Sequence, residues 1–130
     1  MQNILAQGNR KTDGWAMFIG RWQPWHAGHR WLIDQQLNQG KKVLIAIRDV
    51  EPDENNPWSP HEVLMNVSKE LGDLIIKGVI RIIIIPDIES INFGRGVGYD
   101  VIEHVPPANI SEISATKIRK QMNEDEGSIF

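Results

Sequence analysis

The chain of 130 residues contains no cysteine, a single tyrosine, and no apolar run long enough to cross a bilayer. The lack of cysteine excludes disulfides and thiolate zinc ligation, and it fits a cytoplasmic protein. Its longest apolar stretch, Val79 to Pro86, is broken by Arg81, whereas a membrane-spanning helix needs about 20 apolar residues. Met1 to Gly14 has neither the apolar core nor the small-residue cleavage site of a secretory signal, so export is not expected. Positive charge is not in excess either: 14 Lys and Arg face 17 Asp and Glu, a net charge of -3. Non-specific nucleic-acid binding needs a broad cationic surface, so neither nucleic acid nor membrane is an expected partner. What is present is a globular balance, 41% hydrophobic and 24% charged, in a chain long enough for one core.

Apolar strands alternate with helix signals along the chain. Ala16 to Gly20 reads as a first strand, and a helix follows from about His29 to Asn38. Val43-Leu44-Ile45-Ala46-Ile47 is an unbroken apolar run, the mark of a strand buried on both faces. Ser59-Pro60-His61-Glu62 predicts a helix start, with Ser as cap, Pro at the first helical position and Glu closing a capping box. That helix is expected to run to about Leu71. Val79 to Ile85 reads as a third buried strand and Tyr99 to His104 as a short fourth, with a glycine-rich loop over Asn92 to Gly98 between them. A last helix is expected from Ser114 through Met122. Residues 1–14 are read as a flexible leader, 15–122 as a single domain, and 123–130 as an acidic tail. The order predicts an α/β fold, a Rossmann-like open parallel sheet with helices on both faces.

The chemistry concentrates in two places. Gly20 to His29 reads G-R-W-Q-P-W-H-A-G-H and joins the first strand to the first helix. Such a turn suits a phosphate, because helix N–H groups and the positive end of the helix dipole point at it. Gly20, Arg21, Gln23, His26, Gly28 and His29 are its candidate residues. The second place is Ile113-Ser114-Ala115-Thr116-Lys117-Ile118-Arg119, two hydroxyls and two cations at a helix start, which also suit phosphate. Arg48 and Asp87 follow the second and third strands, at the end of the sheet where ligands of such folds sit. Two histidines three apart could be half of a zinc site. No cysteine or third nearby histidine completes one, so no protein-held metal is expected.

Both segments together resemble the HxGH nucleotidylyltransferase superfamily. The first is similar to the G-R-F-Q-P-F-H-x-G-H of archaeal-type nicotinamide-mononucleotide adenylyltransferases. Ile113 to Arg119 resembles their I-S-G-T-x-I-R, and equally the I-S-T-T-K-I-K of glycerol-phosphate cytidylyltransferases. Asn56-Pro57-Trp58-Ser59 is similar to their N-P-F-T, and Pro86-Asp87-Ile88 to their P-D-I. Two departures stand out. His61-Glu62-Val63 occupies the place of the family's G-E-R, which leaves Arg48 as a substitute for the missing arginine. A stretch that longer members carry between Asp87 and Gly98 is also absent.

The resemblance implies transfer of a nucleoside monophosphate from a nucleoside triphosphate to a small phosphomonoester, with pyrophosphate released. ATP is the favoured donor, nicotinamide mononucleotide an expected acceptor, and Mg²⁺ the expected cofactor. It further implies that His26 and His29 serve the α- and β-phosphates, that Arg119, Ser114 and Thr116 hold the leaving pyrophosphate, and that Arg21 neutralises a phosphate. The alternatives are a cytidylyltransferase acting on a polyol or sugar phosphate, and a nucleotide-binding module without catalysis. Exposed tryptophans and the leader lead to an expectation of self-association into a homo-oligomer.

Overall fold

A computed structural model describes residues 2–6, 14–96 and 98–111. In chain order the elements are β1 (Gln2–Ala6), β2 (Trp15–Gly20), α1 (Ala27–Leu37), β3 (Lys42–Asp49), α2 (Pro60–Glu70), α3 (Gly72–Ile76), β4 (Ile80–Pro86), β5 (Val101–His104) and α4 (Ala108–Ser111). β2, β3 and β4 form a parallel sheet in that order, and β1 pairs antiparallel with β5 in a separate two-stranded ribbon. The Rossmann-like α/β architecture expected from the alternation of strands and helices is therefore borne out.

The central strand β3 is the most buried, as its unbroken apolar run requires. Val43, Ile45 and Ile47 point to one face, in register with Ala16 and Phe18 of β2 and with Ile80, Ile82 and Ile84 of β4. Ile33 of α1 and Val63, Val67 and Leu71 beside them from the α2 side join the same core. Each such side chain, when fully buried, contributes roughly 1.5–3 kcal/mol. α2 starts as expected: Ser59 Oγ accepts from Glu62 N, and the Glu62 side chain accepts from Ser59 N.

Three features differ from the sequence reading. First, Gln2–Ala6 is not loose but strand β1, with Gln2 opposite His104 and Ile4 opposite Ile102. Second, the fourth strand exists as Val101–His104, yet it joins this ribbon and not the parallel sheet. Third, both long helices lie on one face of the sheet. Among the described residues the other face leaves Met17 53% and Ile83 38% exposed. The physical reason is topological. Strands added one after another in one direction, with crossovers of one hand, deliver every helix to the same side. Only a reversal of strand order fills the opposite side, and β5 leaves the sheet instead of making that reversal.

Candidate active site

β2 ends at Gly20, and the chain turns sharply over residues 21–26 before α1 begins. Trp22 holds this turn. Its backbone is left-handed, with φ of 56°, a conformation costing a bulky residue about 1–3 kcal/mol. The compensation is burial: Trp22 is 5% exposed, and its indole N–H donates to the Ala46 carbonyl of β3 at 3.0 Å. The ring lies over Gly20, where an added Cβ would stand 3.1 Å from Trp22 Cε2. Gly20's missing side chain makes room for the indole.

The next residue is also turned inward. Gln23 is 4% exposed. Its Nε2 donates to the Trp58 carbonyl at 3.0 Å, and its Oε1 accepts from Trp58 N at 3.2 Å. The expected ligand-binding Gln23 is thus bonded to the protein itself, as a buried amide must find partners. A cis peptide bond joins it to Pro24. Trp25 N then donates to Asn66 Oδ1 of α2 at 3.4 Å.

His26 is the N-cap of α1. Its Nδ1 accepts from Gly28 N at 3.0 Å and from His29 N at 3.4 Å. An Nδ1 that accepts carries no proton, so neutral His26 holds its proton on Nε2. The backbone N–H groups expected to meet a phosphate directly are thus bonded to an imidazole, and Gly28 serves the cap. The rings of His26 and His29 stack, with centroids 3.7 Å apart and planes 19° from parallel. Trp22 meets His29 edge-on at 4.9 Å, and Trp25 lies 5.3 Å from it.

Arg21 sits beside the histidines in sequence, with its side chain 21% exposed. Its Nη1 is 3.9 Å from Asp53 Oδ2, while Nε and Nη2 are buried without a hydrogen-bond partner among the described residues. Asp53 lies in the exposed loop ahead of α2, and its Oδ1 accepts from Asn55 N at 2.8 Å and Asn56 N at 2.7 Å. The bond from the Asn56 backbone, with smaller help from Asn55 and the Arg21 charge, holds its carboxyl below the usual 3.8. The signal was present in Asp53-Glu54-Asn55-Asn56, a spacing that suits an Asp side chain turned back on its own loop.

Arg48 reaches across the sheet end. Its Nε and Nη2 donate to Asp87 Oδ1 at 3.0 and 2.6 Å, and Nη2 also approaches the Ile88 carbonyl at 3.3 Å. With Ile19, Ile88, Glu89, Ser90 and Ile91 it lines a cleft of about 390 Å³ next to the end of β2. The turn residues and this cleft thus share the carboxyl end of the sheet. Ser114, Thr116 and Arg119 lie outside the described residues. No group of three or more His, Asp or Glu side chains among the described residues is arranged to hold a metal ion.

No family model matches the chain. Among curated proteins, it is 29% identical over 114 residues to the nicotinamide-nucleotide adenylyltransferase of Methanococcus aeolicus, covering 86% of this chain and 63% of that protein. It is 28% identical over 138 residues to nicotinamide-nucleotide adenylyltransferase 1 of Sulfolobus acidocaldarius, covering 85% of this chain and 79% of the relative. A nicotinamide/nicotinic acid mononucleotide adenylyltransferase of Acinetobacter baylyi is 38% identical over 60 residues, 42% of this chain and 32% of that protein. The chain therefore spans less than two thirds of the Methanococcus and Acinetobacter relatives. These relatives support the nucleotidyltransferase family that the two motifs resemble.

Proposed function

Starting from this similarity to nicotinamide-nucleotide adenylyltransferases, we propose that the protein transfers AMP from ATP to a small phosphomonoester, with nicotinamide mononucleotide the favoured acceptor. The observation that carries the reading is the stacked His26–His29 pair over the start of α1, with His26 Nδ1 committed to the backbone. The proton of the neutral His26 ring then sits on Nε2.

In the proposed reaction an oxygen of the acceptor's phosphate attacks the α-phosphorus of ATP. The new P–O bond forms as the bond to the α–β bridging oxygen breaks, and that electron pair leaves with pyrophosphate. The acceptor phosphate is already anionic at neutral pH, so no general base is needed. Catalysis rests on alignment and on stabilising the charge that grows on the bridging oxygen. His26 and His29 would supply donors there. Arg21 would turn its buried, unpaired Nε and Nη2 toward a phosphate, and Arg119, with Ser114 and Thr116, would hold the leaving pyrophosphate. The cleft beside Arg48 offers apolar walls from Ile19, Ile88 and Ile91 for the acceptor's ring. Mg²⁺ would arrive with the triphosphate, coordinated by phosphate oxygens and water, and would neutralise part of its charge. A cytoplasmic setting and self-association go with this reading. Among the described residues no helix is long and apolar enough to cross a membrane.

Pyrophosphate release from each of the four common nucleoside triphosphates, with nicotinamide mononucleotide or a polyol phosphate as acceptor, tests the proposal. Turnover is expected with ATP. Turnover with CTP and a polyol phosphate alone would move the assignment to a cytidylyltransferase. Nucleotide binding with no pyrophosphate from any pair would make the chain a binding module.

A further inference from the structure

We infer that Gln23 is a positioning residue for the proposed transfer, a clasp that sets the imidazole pair against the β3–α2 connection. The inference rests on the phosphate-turn reading above and gives Gln23 a structural role within that turn. Trp58 lies in an irregular segment ahead of α2 and is 3% exposed. A backbone N–H and C=O buried there must be paired, and among the described residues no strand ladder includes Trp58. The primary amide of Gln23 does so, donating at 3.0 Å and accepting at 3.2 Å from the same residue. It imitates a neighbouring strand for the length of one residue.

The clasp sits between two other attachments of the turn. Trp22 is fixed to Ala46 of β3, and Trp25 N reaches Asn66 of α2. Three attachments within four residues locate the segment that leads into the cap at His26. Trp58 is followed directly by Ser59, the cap of α2, and preceded by the loop whose Asp53 faces Arg21. Gln23 therefore joins the two walls between which Arg21, His26 and His29 would meet a triphosphate. Displacement of such groups by an ångström costs as much as 10²-fold in rate.

Gln23→Met keeps the side chain's length and removes both polar atoms. Assayed well below its melting temperature, and per folded molecule, it is expected to lower kcat at least tenfold while the KM for ATP stays within about twofold. Gln23→Glu still accepts from Trp58 N but regains a donor only when protonated. Its activity relative to wild type is expected to rise as pH falls. NMR gives a readout independent of turnover: ring resonances of His26 and His29 are expected to shift in Gln23→Met, with those of His61 unchanged. Wild-type kcat per folded molecule in Gln23→Met, or unshifted His26 and His29 resonances, would assign Gln23 to stability alone and overturn the inference. A wild-type protein that makes no pyrophosphate, yet shows the histidine shifts on substitution, would instead overturn the transfer reaction and leave the clasp standing.

Discussion

Residues 20–29 and the β1–β5 ribbon are both short, irregularly placed pieces of chain, yet they are held in different ways. The turn sends Trp22, Gln23 and the Trp25 backbone into three separate partners, two of them with the side chain almost wholly buried. The ribbon leans on the parallel sheet through a ring contact, His104 against Phe18 at 5.9 Å, and β1 leaves Ile4 47% and Leu5 61% exposed. Rigid attachment is concentrated at the turn that the proposed reaction needs held in place. The ribbon is secured by a ladder between strands a hundred residues apart, as the Asn3 to Glu103 bond illustrates.

Substitutions sharpen this contrast, beginning at the turn. His29→Ala is expected to lower kcat by roughly 10²–10³, the usual effect of losing one transition-state donor. A rise confined to the KM for ATP would break the assignment. Trp22→Ala empties the pillar beneath the histidines and is expected to cost about 3–5 kcal/mol in a denaturant titration. Ser59→Ala removes the cap of α2 and should cost about 0.5–2 kcal/mol by the same measurement. In the ribbon, Leu5→Ser is expected to change stability by less than about 0.5 kcal/mol, as exposed positions do.

The ribbon also carries a pH dependence that Asp53, in the loop facing Arg21, does not share. Burial against Phe18 pushes His104 below its usual 6.5. Between that value and its lowered one, the unfolded chain binds a proton that the folded chain does not. His104 therefore favours folding fully above pH 6.5, and this contribution is lost as pH falls through the lowered value. Asp53, also lowered, favours folding above its usual 3.8 and loses that only in stronger acid. Amide exchange in β1 and β5 is expected to accelerate between pH 7 and 5 relative to β3, and His104→Phe should remove the difference. Equal acceleration in β3 would show that no such local titration exists.

Local chemistry was legible in the sequence; long-range pairing was not. Ser59, Pro60 and Glu62 carry their capping pattern within four residues, and the capping box is present as read. The apolar run Val43 to Ile47 announces a central strand because burial on both sides tolerates no polar alternation. β1 escaped notice because its partner lies beyond residue 100, and five mixed residues carry no period strong enough to mark a strand. α3 is similarly short, and it begins at Gly72, where the preceding helix was expected to stop. The burial of Gln23 was not legible, because a polar residue in such a turn looks outward-facing until its bonds to Trp58 are seen. Asp53 is solvent-exposed, and its bonds from Asn55 and Asn56 could not be told from composition alone. Of the expected site, His26, His29 and Arg21 come together in one turn, with Arg48 across the sheet end, while Ser114, Thr116 and Arg119 lie outside the described residues.

Two places could receive a nucleotide. The carboxyl end of the sheet carries the histidine pair, and the amino end has a cleft of about 350 Å³ lined by Gly14, Gln39, Gly40, Lys41 and Lys42. Adding ATP with Mg²⁺ to isotope-labelled protein and mapping the amide shifts distinguishes them directly. The largest shifts are expected at residues 20–29 and 53–58, with residues 2–6 and 101–104 unmoved. Shifts centred on residues 39–42, with the histidine turn silent, would contradict the assignment of the triphosphate to that turn.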